Sequence, residues 1–321
     1  MRRNIFVTLQ SFAEYSDVPL LLLKNAGVSI RLNTRKHRLN QSEIIELGED
    51  SDGIIAGVEP YDKMVFNKLL RLKCISRCGV GIDSIDLKEA ERRGIAILNT
   101  PDVVVQPVAE MTIAMIFNLL RLLTYHTNLL KSGEWRKRAG HLLKGRKVGV
   151  VGLGRIGKRV AEILGSLNAY VYGCDLKVDS EWLAGNNIKI LSISELLCEV
   201  DVLCLHVSVS TDNTFFLGKK EMAQLKKGAI IINTSRGQIL DEGALYESLV
   251  SGHLGGAALD VFGEEPYSGQ LVELDNVVLT PHISTLTKES RIEMETQAVE
   301  NILEYFDVPY ECPPLLNMNQ K

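Results

Sequence analysis

Three residues of this chain have the side chains that proton and anion chemistry needs, and each stands in its own short motif. Arg236 closes the run Ile231-Ile232-Asn233-Thr234-Ser235-Arg236-Gly237. Glu265 precedes Pro266 shortly after Ala258-Leu259-Asp260-Val261-Phe262, and His282 follows Pro281 after Val277-Val278-Leu279-Thr280. Each apolar run reads as a strand, so each residue falls just beyond a strand end. Arg can hold a carboxylate or carbonyl oxygen through two parallel hydrogen bonds. His can give a proton to a new hydroxyl, and Glu can hold that His charged and oriented. A cation, a carboxylate and an imidazole so placed are what reduction of a 2-oxo acid requires. Singly, a strand-end Arg or His is usually a solvated or capping side chain; order and motif context give these three their weight.

A second constellation can hold a dinucleotide. Lys147-Val148-Gly149-Val150-Val151 runs into Gly152-Leu153-Gly154-Arg155-Ile156-Gly157 and then a helix, and Asp175 follows Gly157 by 18 residues at the end of the next strand. Gly-rich turns are common, but this one follows a strand, opens a helix and has an acidic residue near the fingerprint spacing. Gly152 allows the tight turn, Gly154 lets a pyrophosphate approach the backbone, and Gly157 lets helix and sheet pack closely. The N–H groups of Arg155 and Ile156 then face the pyrophosphate, with the helix dipole behind them. Asp175 is expected to accept from the ribose hydroxyls and to repel a 2′-phosphate, favouring NAD over NADP; Lys177 softens that exclusion.

These groups need a frame, and the pattern predicts one. Short β-rich runs alternate with helical stretches throughout, the signature of parallel sheets covered on both faces. One series of strands comprises Asn4–Leu9, Val28–Leu32, Gly53–Gly57, Cys74–Cys78 and Ala96–Leu98. A second comprises Lys147–Val151, Tyr170–Cys174, Val202–Val207, Ile230–Asn233, Ala257–Leu259 and Val277–Leu279. A long helix over Gln106–Lys131 is expected to lead into the second series, and a last helix over Lys288–Phe306 to return to the first domain. The expected fold is α/β with two doubly wound parallel-sheet domains. A Rossmann NAD-binding domain (101–284) is inserted into a flavodoxin-like substrate-binding domain (1–100 and 285–321), with the ligand cleft expected at the hinge.

Composition narrows the class further. A chain of 321 residues with 45% hydrophobic and 24% charged residues suits two ordinary globular domains, and a net charge of −4 gives no pull toward nucleic acid or anionic membrane. Cys74, Cys78, Cys174, Cys198, Cys204 and Cys312 lack zinc-type spacing and read as free, buried thiols, so no metal is expected. Asn4–Leu9 is too short for a signal-peptide core, which points to a cytoplasmic location. Met111–Leu130 is interrupted by Asn118, Arg121, His126 and Asn128, so it reads as a packed helix and no membrane span. Its apolar surface predicts a homodimer, the alternative being burial between domains. His37, His126, His141 and His253 lack motifs and read as surface or packing residues. The basic cluster Arg136–Arg138 beside Trp135 reads first as a solvated face, with a subunit contact or substrate guidance as the other options.

With these pieces placed, the chain resembles the D-isomer-specific 2-hydroxyacid dehydrogenases over nearly its whole length. The resemblance rests on Gly79-Val80-Gly81-Ile82-Asp83-Ser84-Ile85-Asp86, Asn99-Thr100-Pro101 with Val108-Ala109-Glu110, the Gly152–Gly157 loop and the three motifs of the opening paragraph. It implies that the Gly79-Val80-Gly81 loop offers N–H groups to the substrate carboxylate, with Val80 also near the cofactor. Arg236 would bridge carboxylate and carbonyl oxygen, and His282 would be proton donor in reduction and base in oxidation, supported by Glu265. Asp260 would hold the nicotinamide carboxamide. His206, Val207, Thr234 and Ser235 would line the cofactor groove, with Ser284 near the ring.

Arg77, before Cys78-Gly79, resembles the branch acting on 3-phosphoglycerate and is expected either to pair with a carboxylate or to contact a substrate phosphate. The other expectation within the family is reduction of glyoxylate, hydroxypyruvate or another small 2-oxo acid, with Ala56-Gly57-Val58-Glu59 lining the pocket. A remote third is an NAD(H)-sensing binding protein like the family's corepressors. The C-terminal regulatory domain of many relatives is expected to be absent. Two departures stand out: Ser208 replaces a common Pro, and Ser284-Thr285 replace Gly-Ala or Gly-Gly after His282-Ile283.

Overall fold

Residues 2–35, 37–207 and 216–311 are described by the computed structural model; the departure at Ser208 and the cysteine at 312 fall outside them. The chain divides into two compact units, Met1–Val104 with Leu286–Lys321, and Val105–Thr285.

The first unit opens with β1 (Asn4–Val7), α1 (Val18–Asn25), β2 (Ser29–Leu32), α2 (Gln41–Gly48) and β3 (Gly53–Ala56). It continues with α3 (Lys63–Lys68), β4 (Cys74–Arg77), α4 (Leu87–Arg92) and β5 (Ala96–Asn99). Acceptors stand where helices must begin: Asn40 and Glu43 form a reciprocal cap on α2, while Asp62 and Asp86 accept from first-turn N–H groups of α3 and α4. The strands pair in parallel in the order β2-β1-β3-β4-β5, the flavodoxin-like order. Their apolar runs carry Phe6, Ile54, Ala56 and Ile75 into one core with Tyr61, Val65 and Phe66.

The second unit begins with α5 (Val105–Arg121) and α6 (Leu123–Lys131), where a single long helix was expected. No Pro or Gly separates them. Asn118 reaches forward instead: its Oδ1 accepts from Thr124 N at 2.9 Å and its Nδ2 donates to Thr124 Oγ1 at 2.9 Å. That clasp accompanies a left-handed Leu122 (φ 55°) and a 61° bend. Most of the apolar stretch is thereby accounted for, because Met115, Ile116 and Leu120 of α5 enter the unit's core with Val148, Val150 and Ile232. No single described helix is long and apolar enough to cross a membrane.

Then follow β6 (Lys147–Val151), α7 (Arg155–Ser166), β7 (Tyr170–Cys174), α8 (Ser180–Asn186), β8 (Lys189–Ile190), α9 (Ile193–Glu199) and β9 (Val202–Leu205). The unit ends with α10 (Lys219–Met222), β10 (Ile230–Asn233), α11 (Glu242–Val250), β11 (Gly256–Leu259) and β12 (Val277–Leu279). These strands form a parallel sheet ordered β12-β11-β10-β9-β6-β7-β8, the Rossmann order with a further strand beyond β11. The two-residue β8 escaped the sequence pattern because it is too short to show a period.

Finally α12 (Lys288–Tyr305) returns to the first unit and packs on β3, β4 and β5. A Cβ at Gly53 would stand 2.7 Å from Ile302 and 2.8 Å from Phe306, so that glycine lets the helix lie against the sheet. Among the described cysteines Cys74, Cys78 and Cys204 are buried and free as expected, whereas Cys198 is exposed.

Candidate active site

Strands β10, β11 and β12 are neighbours in the sheet, and Asn233 pairs with Leu259, which pairs with Leu279. Their carboxyl ends therefore lie level, and Arg236, Glu265 and His282 leave that one edge side by side. Ligands of open parallel sheets bind at this edge.

Imidazole and carboxylate meet. His282 Nδ1 lies 2.9 Å from Glu265 Oε2 and 3.2 Å from Oε1, with about half of the His282 side chain exposed. With Nδ1 facing the carboxylate, Nε2 is the nitrogen left for a substrate oxygen. Glu265 Oε1 also accepts from Phe262 N at 3.2 Å, which ties the carboxylate to its own loop.

Arg236 is half-buried, with Nη1 donating to the Ser235 carbonyl at 2.7 Å. Asn233 folds the turn around it by donating Nδ2 to the Arg236 carbonyl at 2.9 Å and accepting from Ser235 N and Oγ. Gly237 then permits the closest approach in the site, since a Cβ there would fall 1.8 Å from the Phe262 carbonyl carbon. Only glycine lets the Arg236 turn sit against the loop that carries Glu265. Thr234 turns inward, its Oγ1 3.0 Å from Thr112 Oγ1 in a buried pair.

The His282 backbone is unusual, with φ +54°, a left-handed conformation that costs a non-glycine residue about 1–3 kcal/mol. Asp260, 0% exposed, holds the flanking chain. Its Oδ1 accepts from Thr280 Oγ1 at 2.6 Å and Ile283 N at 2.9 Å; its Oδ2 accepts from Ser284 N at 2.8 Å and Ser284 Oγ at 2.5 Å. A carboxylate has about four acceptor positions, so the group expected to meet a nicotinamide carboxamide is committed within the chain. Ser284, expected near the ring, is buried and turned onto Asp260. Apolar runs carry no trace of this cluster, because its donors lie 20 or more residues from Asp260.

The Gly152 loop fits a dinucleotide. A Cβ at Gly152 (φ +89°) would meet the His206 carbonyl oxygen at 2.4 Å, and one at Gly157 would fall 1.8 Å from the Gly152 carbonyl oxygen. Above Gly154 there is open space, and this residue starts α7 with no side-chain cap, leaving the first N–H groups of a 12-residue helix for an anion. Asp175 Oδ2 accepts from Leu153 N at 2.5 Å and Oδ1 from Lys177 N at 3.0 Å, so the acidic residue is fastened to the rim of the loop. His206 and Val207 stand beside the loop at the end of β9, and His206 Nε2 is buried without a partner among the described residues. Burial pushes the His206 imidazole down to about 4, which keeps it neutral.

The Gly79-Val80-Gly81 loop belongs to the first unit, at the end of β4. Gly79 N donates to Thr100 Oγ1 at 2.8 Å, so that N–H is spent internally rather than offered to a carboxylate. Asn99 Nδ2 holds the Val80 carbonyl at 3.0 Å, and Arg77 Nε holds the Gly81 carbonyl at 3.0 Å. Arg77 thus braces the loop, and its Nη1 would be 2.2 Å from a Cβ placed on Gly79. Glu59, in the segment expected to line a pocket, is buried and accepts from Thr8 Oγ1 and Gly57 N, each at 2.8 Å. Nothing in the local sequence marks this carboxylate as an internal acceptor beyond its place three residues after the end of β3.

Residues 113–284 match the family model described as D-isomer specific 2-hydroxyacid dehydrogenase, NAD binding domain. A D-3-phosphoglycerate dehydrogenase of Pongo abelii is 35% identical over 274 residues, 84% of this chain and 51% of that protein. The chain thus spans about half the length of that relative and of several others of the same name. A glyoxylate reductase of Korarchaeum cryptofilum is 32% identical over 332 residues, covering 100% of this chain and 97% of the relative. Among solved structures, a D-lactate dehydrogenase of Aquifex aeolicus complexed with NAD and lactic acid has a TM-score of 0.84 at 26% identity, covering 95% of this chain and 96% of its own.

Proposed function

The chain belongs to the D-isomer-specific 2-hydroxyacid dehydrogenases and carries that family's NAD-binding domain, and on that premise we propose that it interconverts a D-2-hydroxy acid and its 2-oxo acid. The observation that carries the reading is the His282–Glu265 pair at 2.9 Å, set on the same sheet edge as Arg236. In reduction Arg236 would grip the substrate carboxylate and turn the carbonyl oxygen toward His282. His282 Nε2 would pass its proton to that oxygen while Glu265 holds the charged ring in place. NAD, when bound, supplies or accepts the hydride at carbon. In oxidation the same nitrogen takes the hydroxyl proton. Leu153–Gly157 and Asp175 would hold the dinucleotide.

For the substrate we propose 3-phosphoglycerate and 3-phosphohydroxypyruvate, which would place the chain in serine formation. Arg77 beside the Gly79 loop and the relatives named for that reaction support it. Glyoxylate or another small 2-oxo acid is the second reading, favoured by the glyoxylate reductase that matches this chain from end to end. A cytoplasmic homodimer completes the proposal. The free cysteines support a reducing compartment, and Leu123, Leu130, Trp135 and Leu142, exposed within one stretch, support a subunit contact.

The test is NADH consumption with phosphohydroxypyruvate, glyoxylate, hydroxypyruvate and pyruvate offered in parallel to the wild type and to His282→Ala. General acid catalysis contributes about 10²–10⁴ in rate, so the variant should lose that much turnover while binding NADH normally. Unchanged turnover in His282→Ala sinks the assigned role. Silence of the wild type across the panel, with NADH still bound, favours a sensing protein.

A further inference from the structure

Two carboxylates from one loop act on His282 in different ways. Glu265 meets the ring, whereas Asp260 never touches it and holds only the chain on either side. The left-handed backbone at His282 fixes where its Cα–Cβ bond points, and therefore whether Nδ1 can reach Glu265. Backbone N–H groups supply two of the four donors on Asp260, and these any residue types would provide. Thr280 and Ser284 supply the other two through their hydroxyls. On the C-terminal side of His282 the Ile283 and Ser284 N–H groups both reach Asp260, and Ser284 adds a hydroxyl. That hydroxyl stands at a position where the resemblance leads one to expect glycine. A glycine there would give Asp260 the N–H alone, with a looser backbone.

We propose that Ser284 is a positioning residue for the proton donor: its hydroxyl, donated to the enclosed Asp260 carboxylate, locks the Pro281–Ser284 turn so that the His282 ring stays on Glu265. Ser284 need not touch substrate or cofactor to do this. The inference rests on the proposed role of His282, and it assigns this chain's own departure at 284 a purpose.

The experiment compares Ser284→Thr with Ser284→Val, two side chains of nearly equal volume of which only the first keeps the hydroxyl. Any crowding in the buried site is common to both. A hydrogen bond to a charged group is worth about 1.5–3 kcal/mol, so Ser284→Val should lose roughly tenfold or more of kcat. The KM for the 2-oxo acid and the affinity for NADH should stay unchanged, and Ser284→Thr should retain most of the wild-type kcat. Nitrogen-15 spectra of labelled histidine, with the His282 signal assigned from His282→Ala, give a reading independent of turnover. The Nδ1 signal of a ring held on Glu265 should persist in Ser284→Thr and broaden or shift in Ser284→Val. Equal losses in the two variants, or wild-type kcat and spectrum in Ser284→Val, overturn the proposal. Full turnover in His282→Ala would instead overturn the functional reading, while the spectra still report whether Ser284 positions the ring.

Discussion

Two glycine-bearing loops at strand ends, Gly152–Gly157 in one unit and Gly79–Gly81 in the other, are held in different ways. Around Gly152 and Gly157 the neighbours within 2.4 Å of an added Cβ are backbone carbonyl oxygens, which cannot move without unravelling β6, α7 or the end of β9. Around Gly79 the nearest neighbour, at 2.2 Å, is the far end of the Arg77 side chain. The first loop is shaped by the main chain and leaves little freedom over what it cradles. The second is shaped by a side chain, the Arg77 guanidinium, which also holds the Gly81 carbonyl. The difference teaches that a glycine can be demanded by a main chain in one place and by a single side chain in another.

The sharpest way to break that comparison is Gly157→Ala. Overpacking costs about 1–3 kcal/mol, and a methyl set against a backbone oxygen belongs at the upper end, so NADH affinity should fall roughly a hundredfold. Isothermal titration of NADH checks it; near-normal affinity would mean that the loop is softer than its contacts imply. Arg77→Met is the counterpart. Charge-assisted hydrogen bonds are worth about 1.5–3 kcal/mol, so kcat/KM for phosphohydroxypyruvate should drop at least about tenfold with little change in NADH affinity. An equal drop for glyoxylate would leave Arg77 as a brace only and remove the phosphate contact from the account.

The smallest expected effect concerns His206, at the margin of the nucleotide loop. Its folded value of about 4 lies below the ordinary value of 6.5, so between these pH values the unfolded chain binds the extra proton. The stability linked to His206 is present above pH 6.5 and is lost as pH falls toward about 4. His206→Gln should flatten that part of the melting-temperature profile while leaving the neutral range alone. An identical acid slope in the variant would remove His206 from the linkage.

What could be read in the sequence follows the same division. The Gly152 loop and the strand runs were legible because a parallel sheet buried on both faces writes itself as short, continuous apolar segments with glycine where backbones meet. Arg236, Glu265 and His282 were legible by type and motif, although only the order of β10, β11 and β12 sets them on one edge. The bend at Leu122 was not legible, because its cause is a side-chain clasp between Asn118 and Thr124 rather than a breaker residue. Nor was the enclosure of Asp260, which depends on donors 20 and more residues away in sequence. Glu59 was hidden for a similar reason, since its partner Thr8 lies on another strand's exit.

The insertion of one unit within the other also governs how the protein can come into being. The second unit is a continuous stretch, Val105–Thr285, and can close as soon as it has left the ribosome. The first cannot: one face of its sheet waits for α12, whose Ile302 must settle over Gly53. At about 5–20 residues per second, synthesis of the intervening stretch leaves β1–β5 without that cover for roughly ten to forty seconds. The strands of the first unit are thus made before the second unit and completed after it, and in that interval their half-dressed sheet is the surface a chaperone would meet.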